Sequence, residues 1–177
     1  MSNQWVVDGS HSSAGFSVKH LMITNVRGEF QKVEGKVTYD ATKPEATTIE
    51  ASVDVASLST RDEKRDGHLK SPDFFDAEKF PTLTFKSTSV KAKAKDELSV
   101  TGDLTIHGVT KEVVFEVEGP SAPTSDPWGN VRIGATASAK IKREDFGLTW
   151  NAALEAGGVL VGSDVKITID VSLIQQK

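Results

Sequence analysis

Cysteine is absent from the 177 residues of this chain. The absence excludes a disulfide framework, a thiolate metal site and a cysteine nucleophile, and it leaves the redox compartment open. An excess of positive charge is missing as well, because 21 basic side chains face 25 acidic ones and the formal net charge is −4. The composition therefore shows no basic footprint for an anionic membrane, and no nucleic-acid partner is expected.

Long hydrophobic runs are also missing. No stretch approaches the roughly 20 apolar residues that a spanning helix needs, so we expect no membrane span. The first eight residues lack both the basic and the apolar segment of a secretory leader. As written, the chain is expected to be cytoplasmic; it would be periplasmic if a signal peptide had been removed.

Motifs of catalysis and nucleotide binding are absent too. The 14 glycines form neither a G-x-G-x-x-G fingerprint nor a phosphate-binding loop, and no G-x-S-x-G nucleophile elbow occurs. The four histidines, His11, His20, His68 and His107, lack the close paired spacing of metal ligands. We therefore expect no metal, no cofactor and no catalytic residues.

What the sequence does have is a strict alternation of apolar and polar residues. It is clearest over residues 133–141 and 165–173, and it is the period of a strand with one dry face. Nine candidate strands result, at residues 4–8, 12–20, 26–39, 47–57, 82–92, 97–106, 111–118, 131–142 and 160–174. Their regular spacing predicts an all-β barrel or sandwich in a single domain, residues 1–177.

The third candidate strand changes face part-way along. Val26 and Phe30 share one parity, whereas Val33 and Val37 share the other. One extra residue between 29 and 32 would reset the face, so we predict a β-bulge there.

One stretch, near residues 61–76, breaks the alternation. Thr60 and Glu63 have the spacing of a capping box, which predicts a helix over about residues 61–69. The first two turns of this helix are almost entirely charged, so it lacks an apolar stripe. We expect it to lie outside the core or across an opening.

An aromatic cluster follows the predicted helix. Ser71 and Pro72 have the pattern of an N-cap and first position, which predicts a further short turn. Phe74, Phe75 and Phe80 then lie within seven residues. A charged helix beside aromatic side chains is the arrangement we expect of a lid.

The alternation does not decide whether the interior is filled or open. Eight strands enclose a space that side chains just fill or that holds one small ligand. Several inward positions are small, among them Ala51, Ala135, Ala137 and Ala139, and would leave unfilled volume. Larger residues of neighbouring strands could equally complete the packing, so both interpretations stay open.

The basic residues of the predicted helix also allow two interpretations. Arg61, Arg65 and His68 lie within two helical turns and could hold a polar headgroup. Alternatively they form a solvated face on which Asp62 pairs with Arg65, three residues on. The spacing alone decides neither.

Nine blocks of sequence run in order along almost the whole chain, at residues 11–13, 16–21, 26–30, 59–69, 73–76, 80–82, 102–111, 145–148 and 161–165. The helical block, Ser59-Thr60-Arg61-Asp62-Glu63-Lys64-Arg65-Asp66-Gly67-His68-Leu69, is the most distinctive. Together they resemble the YceI-like polyisoprenoid-binding family. The resemblance implies a single antiparallel lipocalin-like β-barrel of about eight strands, with a short helical excursion near residues 61–76 and an open bore.

The resemblance also implies a function. The bore would hold an isoprenoid lipid, such as a polyprenyl quinone, a quinone precursor or a polyprenyl phosphate, for carriage or storage. No catalytic set and no cofactor beyond that lipid are implied, and a homodimer is expected. The alternatives are an enzyme that acts on such a lipid with a histidine general base, and a structural or interaction protein with a filled core.

On this interpretation, apolar side chains surround the lipid tail and polar side chains meet its headgroup at the mouth. The mouth candidates are His11, His20, Arg61, Arg65 and His68. The lining candidates are Phe16, Leu21, Met22, Phe30, Phe74, Phe75, Phe85, Ala135, Ala137 and Phe146. Strands of about ten residues at ~3.3 Å each, tilted by ~40°, give a bore of roughly 25 Å.

Overall fold

Most of the chain is β-strand. The structure, a computed structural model, describes residues 3–152 and 160–177. The strands are β1 (Asn3–Val7), β2 (Ser13–His20), β3 (Thr24–Phe30), β4 (Val33–Tyr39), β5 (Thr48–Asp54), β6 (Leu58–Ser59), β7 (Thr82–Ala94), β8 (Glu97–Ile106), β9 (Val109–Glu118), β10 (Thr124–Ser125), β11 (Val131–Lys142) and β12 (Val161–Gln175). One α-helix, α1 (Glu63–Lys70), lies among the described residues, with 3₁₀ turns at Gly9–His11, Pro44–Ala46, Val55–Ser57 and Arg143–Phe146.

The sheet closes on itself because β12 pairs with both β11 and β1. The order around the wall is β11, β9, β8, β7, β5, β4, β1 and β12, and β12 then returns to β11. The β11–β12 ladder runs from Arg132 opposite Ile174 to Lys142 opposite Asp164. These pairings are antiparallel. The fold is thus the closed eight-stranded antiparallel barrel that the resemblance implied, not a sandwich.

Three of the eight wall positions consist of two shorter strands each. β1 is followed by β2, β3 by β4 and β5 by β6, and the breaks lie side by side. The amide of Gln31 donates to the carbonyl of Ser57 at 3.3 Å, and the amide of Asp54 donates to the carbonyl of Lys32 at 3.1 Å. Beyond the breaks, β2, β3 and β6 continue the wall toward α1.

The predicted strand over residues 26–39 is one of these interrupted positions. Its change of face is confirmed, since Phe30 and Val33 are both buried and both face the interior. The predicted β-bulge is wrong, because Gln31 and Lys32 separate two strands. A bulge would keep both halves in one ladder, whereas β3 pairs with β2 and β4 pairs with β1.

Helix α1 begins two residues later than predicted. Asp62 is its N-cap, and the Asp62 carboxylate accepts a hydrogen bond from the amide of Arg65 at 3.1 Å. The predicted capping box between Thr60 and Glu63 is wrong, because Arg61 has a left-handed φ of 65° and separates Thr60 from the helix. No helix in the described part of the chain is both long and apolar enough to cross a bilayer.

Ser71 both ends α1 and starts the predicted turn. Its hydroxyl donates to the carbonyl of His68 at 2.5 Å, which caps the C-terminal end of the helix. The amide of Phe74 then donates to the carbonyl of Ser71 at 3.0 Å. The chain therefore folds back against the barrel without a second helix, and Phe74 is buried.

The end of the barrel farthest from α1 is packed by a second apolar cluster. Trp5, Ile133 and Leu173 are buried there, with Val37 and Tyr39 against them. Four of these five residues, all except Trp5, also line the interior space. The cluster therefore forms the floor of the barrel, and α1 lies at its other end.

Candidate functional site

An apolar cavity of about 410 Å³ occupies the barrel interior. Inward residues of the wall strands line it, for example Val165, Ile167 and Ile169 of β12 and Phe85 of β7. These side chains are only partly buried although they point inward, because they border empty space. The volume lies within the range of small-molecule binding pockets. The interior is open.

Small residues create part of this space. Ala51, Ala135 and Ala137 line the cavity. Gly102 lies under the ring of Phe85, where a Cβ atom would collide with the ring carbons and with a backbone oxygen. The glycine therefore allows the ring to lie close against the wall instead of filling the centre.

Helix α1 covers one end of the cavity and is held by charge-assisted hydrogen bonds. Arg65 donates from Nε to Thr60 Oγ1 and from Nη2 to the Thr60 carbonyl, each at 2.8 Å. Asp66 Oδ1 accepts from the Thr60 amide at 2.8 Å and from its hydroxyl at 2.5 Å. Since α1 buries none of its own residues, these contacts with the buried Thr60 position the helix.

Three rings form what we call the aromatic rim at the same end: His68, Phe74 and Trp150. The His68 centroid lies 4.7 Å from that of Trp150 and 5.1 Å from that of Phe74, both nearly perpendicular, and the Phe74 and Trp150 centroids are 5.4 Å apart. His68 Nε2 lies 2.9 Å from Asp73 Oδ2, which fixes the imidazole. All three rings line the cavity.

A buried arginine, Arg143, lies beside the aromatic rim and contacts the backbone of Trp150. It is 4% exposed and also lines the cavity. Its Nη1 donates to the carbonyls of Leu148 at 2.7 Å and Trp150 at 2.9 Å, its Nε to that of Gly162 at 2.8 Å and its Nη2 to that of Val161 at 3.3 Å. These contacts use four of the five guanidinium N–H bonds. Burial lowers the pKa of Arg143 below its ordinary value, but an arginine stays charged in proteins.

Ten of the fifteen predicted site residues line the cavity: Phe16, His20, Phe30, Arg65, His68, Phe74, Phe75, Phe85, Ala135 and Ala137. His20, at the end of β2, is paired with Val161 at the start of β12. It therefore belongs to the same end of the barrel as Arg65 and His68. The structure thus brings together three of the five mouth candidates.

Two mouth candidates, His11 and Arg61, lie outside the cavity lining. His11 is exposed in the 3₁₀ turn after β1, where its Nδ1 lies 2.8 Å from Asp8 Oδ2. Arg61 is exposed in the link between β6 and α1. Both predictions used sequence proximity to strand or helix ends, and proximity does not fix the direction of a side chain outside a regular element.

Three lining candidates also lie outside the cavity lining. Leu21 and Met22 belong to the turn between β2 and β3, where they are 39% and 62% exposed. Phe146 is fully buried in the hydrophobic core, in the 3₁₀ turn after β11, and does not border the cavity. These residues were predicted to line the cavity because they are hydrophobic. Apolar side chains also occur in turns and in the packed core, so hydrophobicity alone does not identify the cavity lining.

The cavity is also lined by residues that were not predicted from the sequence: Arg143, Trp150 as a rim residue, and the inward side chains of β12. The alternation over residues 165–173 already identified one face of β12, so that face could have been assigned to the lining. Arg143 gave no such signal, because its acceptor at Gly162 lies 19 residues away in sequence. Only the closed barrel brings the two together.

The arrangement separates an apolar body from a polar end. His20, Arg65, His68 and Arg143 lie at the α1 end, and the wall below them is almost wholly apolar. Within residues 3–152 and 160–177, no group of three or more histidine or carboxylate residues could hold a metal ion. The geometry fits a long apolar molecule whose polar end lies under α1.

The sequence and the fold of this chain are similar to those of known proteins. The sequence matches the family profile described as the YceI-like domain over residues 5–173. A UPF0312 protein of Staphylococcus aureus (strain N315) is 40% identical over 159 residues, which are 90% of each chain. The crystal structure of a Campylobacter jejuni YCEI protein has a TM-score of 0.76 and 30% identity, with 90% of each chain covered. A polyisoprenoid binding domain from Saccharophagus degradans shares the fold, with a TM-score of 0.68 and 16% identity over 97% of this chain and 98% of that one.

Proposed function

The chain belongs to the YceI-like family, and from this premise we propose that it binds an isoprenoid lipid inside its barrel and carries or stores it unchanged. The name of the Saccharophagus degradans domain, which has the same fold, supports this class of ligand. The family resemblance described above implies a polyprenyl quinone, a quinone precursor or a polyprenyl phosphate as the ligand.

The apolar cavity of about 410 Å³ is the observation that carries the proposal. Burial of hydrocarbon is worth about 0.8 kcal/mol per CH₂ group, so one five-carbon isoprene unit contributes roughly 3–4 kcal/mol before ordering costs. Two or three units therefore suffice for useful binding. A cavity without hydrogen-bonding partners along most of its wall favours hydrocarbon over polar ligands, whose buried groups would be unmatched.

The polar end supports a headgroup position under α1. Arg143 brings a buried positive charge to the cavity surface, and His68 and Arg65 lie on the helix above it. A carbonyl or phosphate oxygen of a headgroup is a suitable acceptor for such donors. In this arrangement the tail supplies affinity and the α1 end supplies selectivity.

The direct test is to extract purified protein with organic solvent and to identify the released molecules by mass spectrometry. We expect an isoprenoid lipid in an amount comparable to that of the protein. Extracts without isoprenoid, together with no binding of added polyprenyl quinone, would refute the proposal. Incubation of the protein with the recovered lipid tests the enzymatic alternative, since a carrier leaves the mass of the lipid unchanged.

Affinity as a function of tail length tests the role of the bore. Quinones that share one headgroup and differ in prenyl number should bind more tightly with each added unit and then level off once the tail fills the cavity. The matched control is the quinone headgroup without a tail. An affinity that does not depend on tail length would contradict burial of the tail.

Assembly and compartment belong to the same proposal. The family resemblance favours a homodimer, which sedimentation of the lipid-loaded protein would test. Fractionation of the producing cells would test the expected cytoplasmic position against the periplasmic one.

A further inference from the structure

The turn between β2 and β3 exposes three large apolar side chains in a row. Leu21 is 39% exposed, Met22 62% and Ile23 74%. Scattered single apolar residues are normal on protein surfaces, but three adjacent ones at the tip of a hairpin form a protruding patch. We call these three residues the apolar tip.

The apolar tip lies beside the cavity. The amide of Leu21 donates to the carbonyl of Leu160 at 2.8 Å, and the amide of Ile23 donates to the carbonyl of His20 at 3.1 Å. Both acceptor residues, Leu160 and His20, line the cavity. A surface that the tip contacts is therefore next to the polar end of the binding site.

The backbone of the tip is strained. Leu21 and Met22 have φ values of 54° and 58°, a left-handed conformation that bulky residues rarely adopt. Short hairpin turns with positive φ favour asparagine and glycine. Two large apolar residues here oppose the local preference, and such strain is typical of functional positions.

The hairpin that carries the tip is positively charged although the whole chain is acidic. Between residues 18 and 28 the hairpin has two cations, Lys19 and Arg27, and no carboxylate. Both cations are exposed. Lys19 is paired with Asn25, and Arg27 is two residues further along β3, so the two cations are diagonal neighbours just behind the tip.

We propose that the apolar tip docks the α1 end of the barrel on an anionic lipid bilayer, with Lys19 and Arg27 at the level of the headgroups. Three side chains are too few for a standard protein interface, which buries about 800 Å² per partner. They suit interfacial insertion, whose strength depends on buried apolar area together with attraction of cations to anionic lipid. Docking this end presents the cavity to the bilayer, the source of the ligand in the proposed function.

The test is co-sedimentation with vesicles of equal parts phosphatidylcholine and phosphatidylglycerol. We expect binding by the unaltered protein, weakened by high salt, and a loss of about tenfold or more in the double variant Leu21→Asn, Met22→Gly. This variant restores preferred turn residues, so its thermal unfolding temperature should stay the same or rise. Loss of binding then cannot be attributed to misfolding.

Trp128 provides a matched control. It is 79% exposed and precedes β11, whose first residues pair with the end of β12 on the floor side of the barrel. Trp128→Ser should leave vesicle binding unchanged.

The proposal fails if the unaltered protein does not bind anionic vesicles, or if the double variant binds them equally well. It also fails if the only effect of the double variant is to dissociate a dimer, because a second copy of the chain would then be the partner of the tip. Vesicle binding and lipid content are separate readouts, so failure here leaves the proposed function testable.

Discussion

At the scale of single residues, the cavity depends on alanines at positions where a larger side chain would fit. Ala137 lies on β11 opposite Ile169 and faces the cavity. Replacement by phenylalanine places a ring in empty space, so we expect loss of isoprenoid binding by about tenfold or more. The stability of the variant should equal or exceed that of the unaltered protein when both are free of lipid. Equilibrium binding and denaturant unfolding measure the two effects.

Thr168→Phe is the control for Ala137→Phe. Thr168 lies on the adjacent strand β12 and is exposed on the outer face. The same ring should leave lipid binding unchanged there. If Ala137→Phe instead destabilised the lipid-free protein by the ~1–3 kcal/mol typical of overpacking, the interior would have to be full.

Arg132 joins two carboxylates on the floor side of the barrel. Its Nη1 lies 2.6 Å from Asp8 Oδ2 and its Nε 2.7 Å from Asp126 Oδ2. Arg132 is the main cause that lowers the pKa of Asp126 from 3.8 to about 2. The pKa of Asp8 is held well below its ordinary value, mainly by a hydrogen bond from the Ser10 side chain and secondly by the one from Arg132.

Because these pKa values are lower in the folded state, the ionised carboxylates stabilise the fold above pH 3.8, and that stability is lost as the pH falls through about 2. Arg132→Met should lower the unfolding temperature at neutral pH, and the difference from the unaltered protein should shrink through this window. Thermal unfolding followed by circular dichroism at several pH values measures it. Lys140→Met, which breaks the exposed 3.4 Å pair with Asp164, should have a much smaller effect, and a difference that is constant with pH would contradict the linkage.

At the scale of elements, alternation predicted the strands because each wall strand has one face toward the cavity and one toward solvent. The alternation did not predict the structure correctly where the chain leaves the sheet. The break at Gln31 and Lys32 changes the inward parity in the same way as a bulge, so the pattern could not distinguish them. The start of α1 depended on the left-handed φ of Arg61, which no spacing rule reveals.

Helix α1 should control how fast lipid enters and leaves the cavity, because its contacts with Thr60 hold it over one end. Thr60→Val keeps the side-chain shape but removes the hydroxyl that contacts Arg65 and Asp66. Loss of these hydrogen bonds should favour displacement of α1 by about 1–2 kcal/mol, or about five- to thirtyfold in the opening equilibrium. We expect bound lipid to exchange faster by a similar factor while tail-length dependence persists.

Stopped-flow release of a fluorescent isoprenoid analogue measures this exchange. Lys64→Ala, an exposed position on the same helix, is the control and should release the analogue at the normal rate. Unchanged release from Thr60→Val would show that α1 does not control access to the cavity.

At the scale of the whole molecule, the alternation predicted a wall of strands in a barrel or sandwich, and the family resemblance implied the closed barrel. The mouth of the barrel was predicted less well. The wall repeats one pattern over eight strand positions, so errors at single residues do not alter the architecture. The mouth is built once, from His20, Arg65, Arg143 and the aromatic rim, and distant parts of the chain meet there. His11 was predicted to belong to the mouth because of its residue type, and Arg143 was not predicted. Only the fold determines which polar groups come together there.

An empty barrel should be less stable than a lipid-loaded one, because the lipid binds only the folded state. A ligand at a hundred times its Kd stabilises the folded state by about 2.7 kcal/mol. For a domain of this size, each kcal/mol corresponds to about 2–4 °C in Tm, so removal of the lipid should lower Tm by about 5–10 °C, and added polyprenyl quinone should restore it. Ala137→Phe leaves less room for the tail and binds it about tenfold more weakly or worse, so its Tm should respond to extraction and to added quinone by about half as much or less. A normal response in this variant would mean that the lipid stabilises the protein from somewhere other than the cavity.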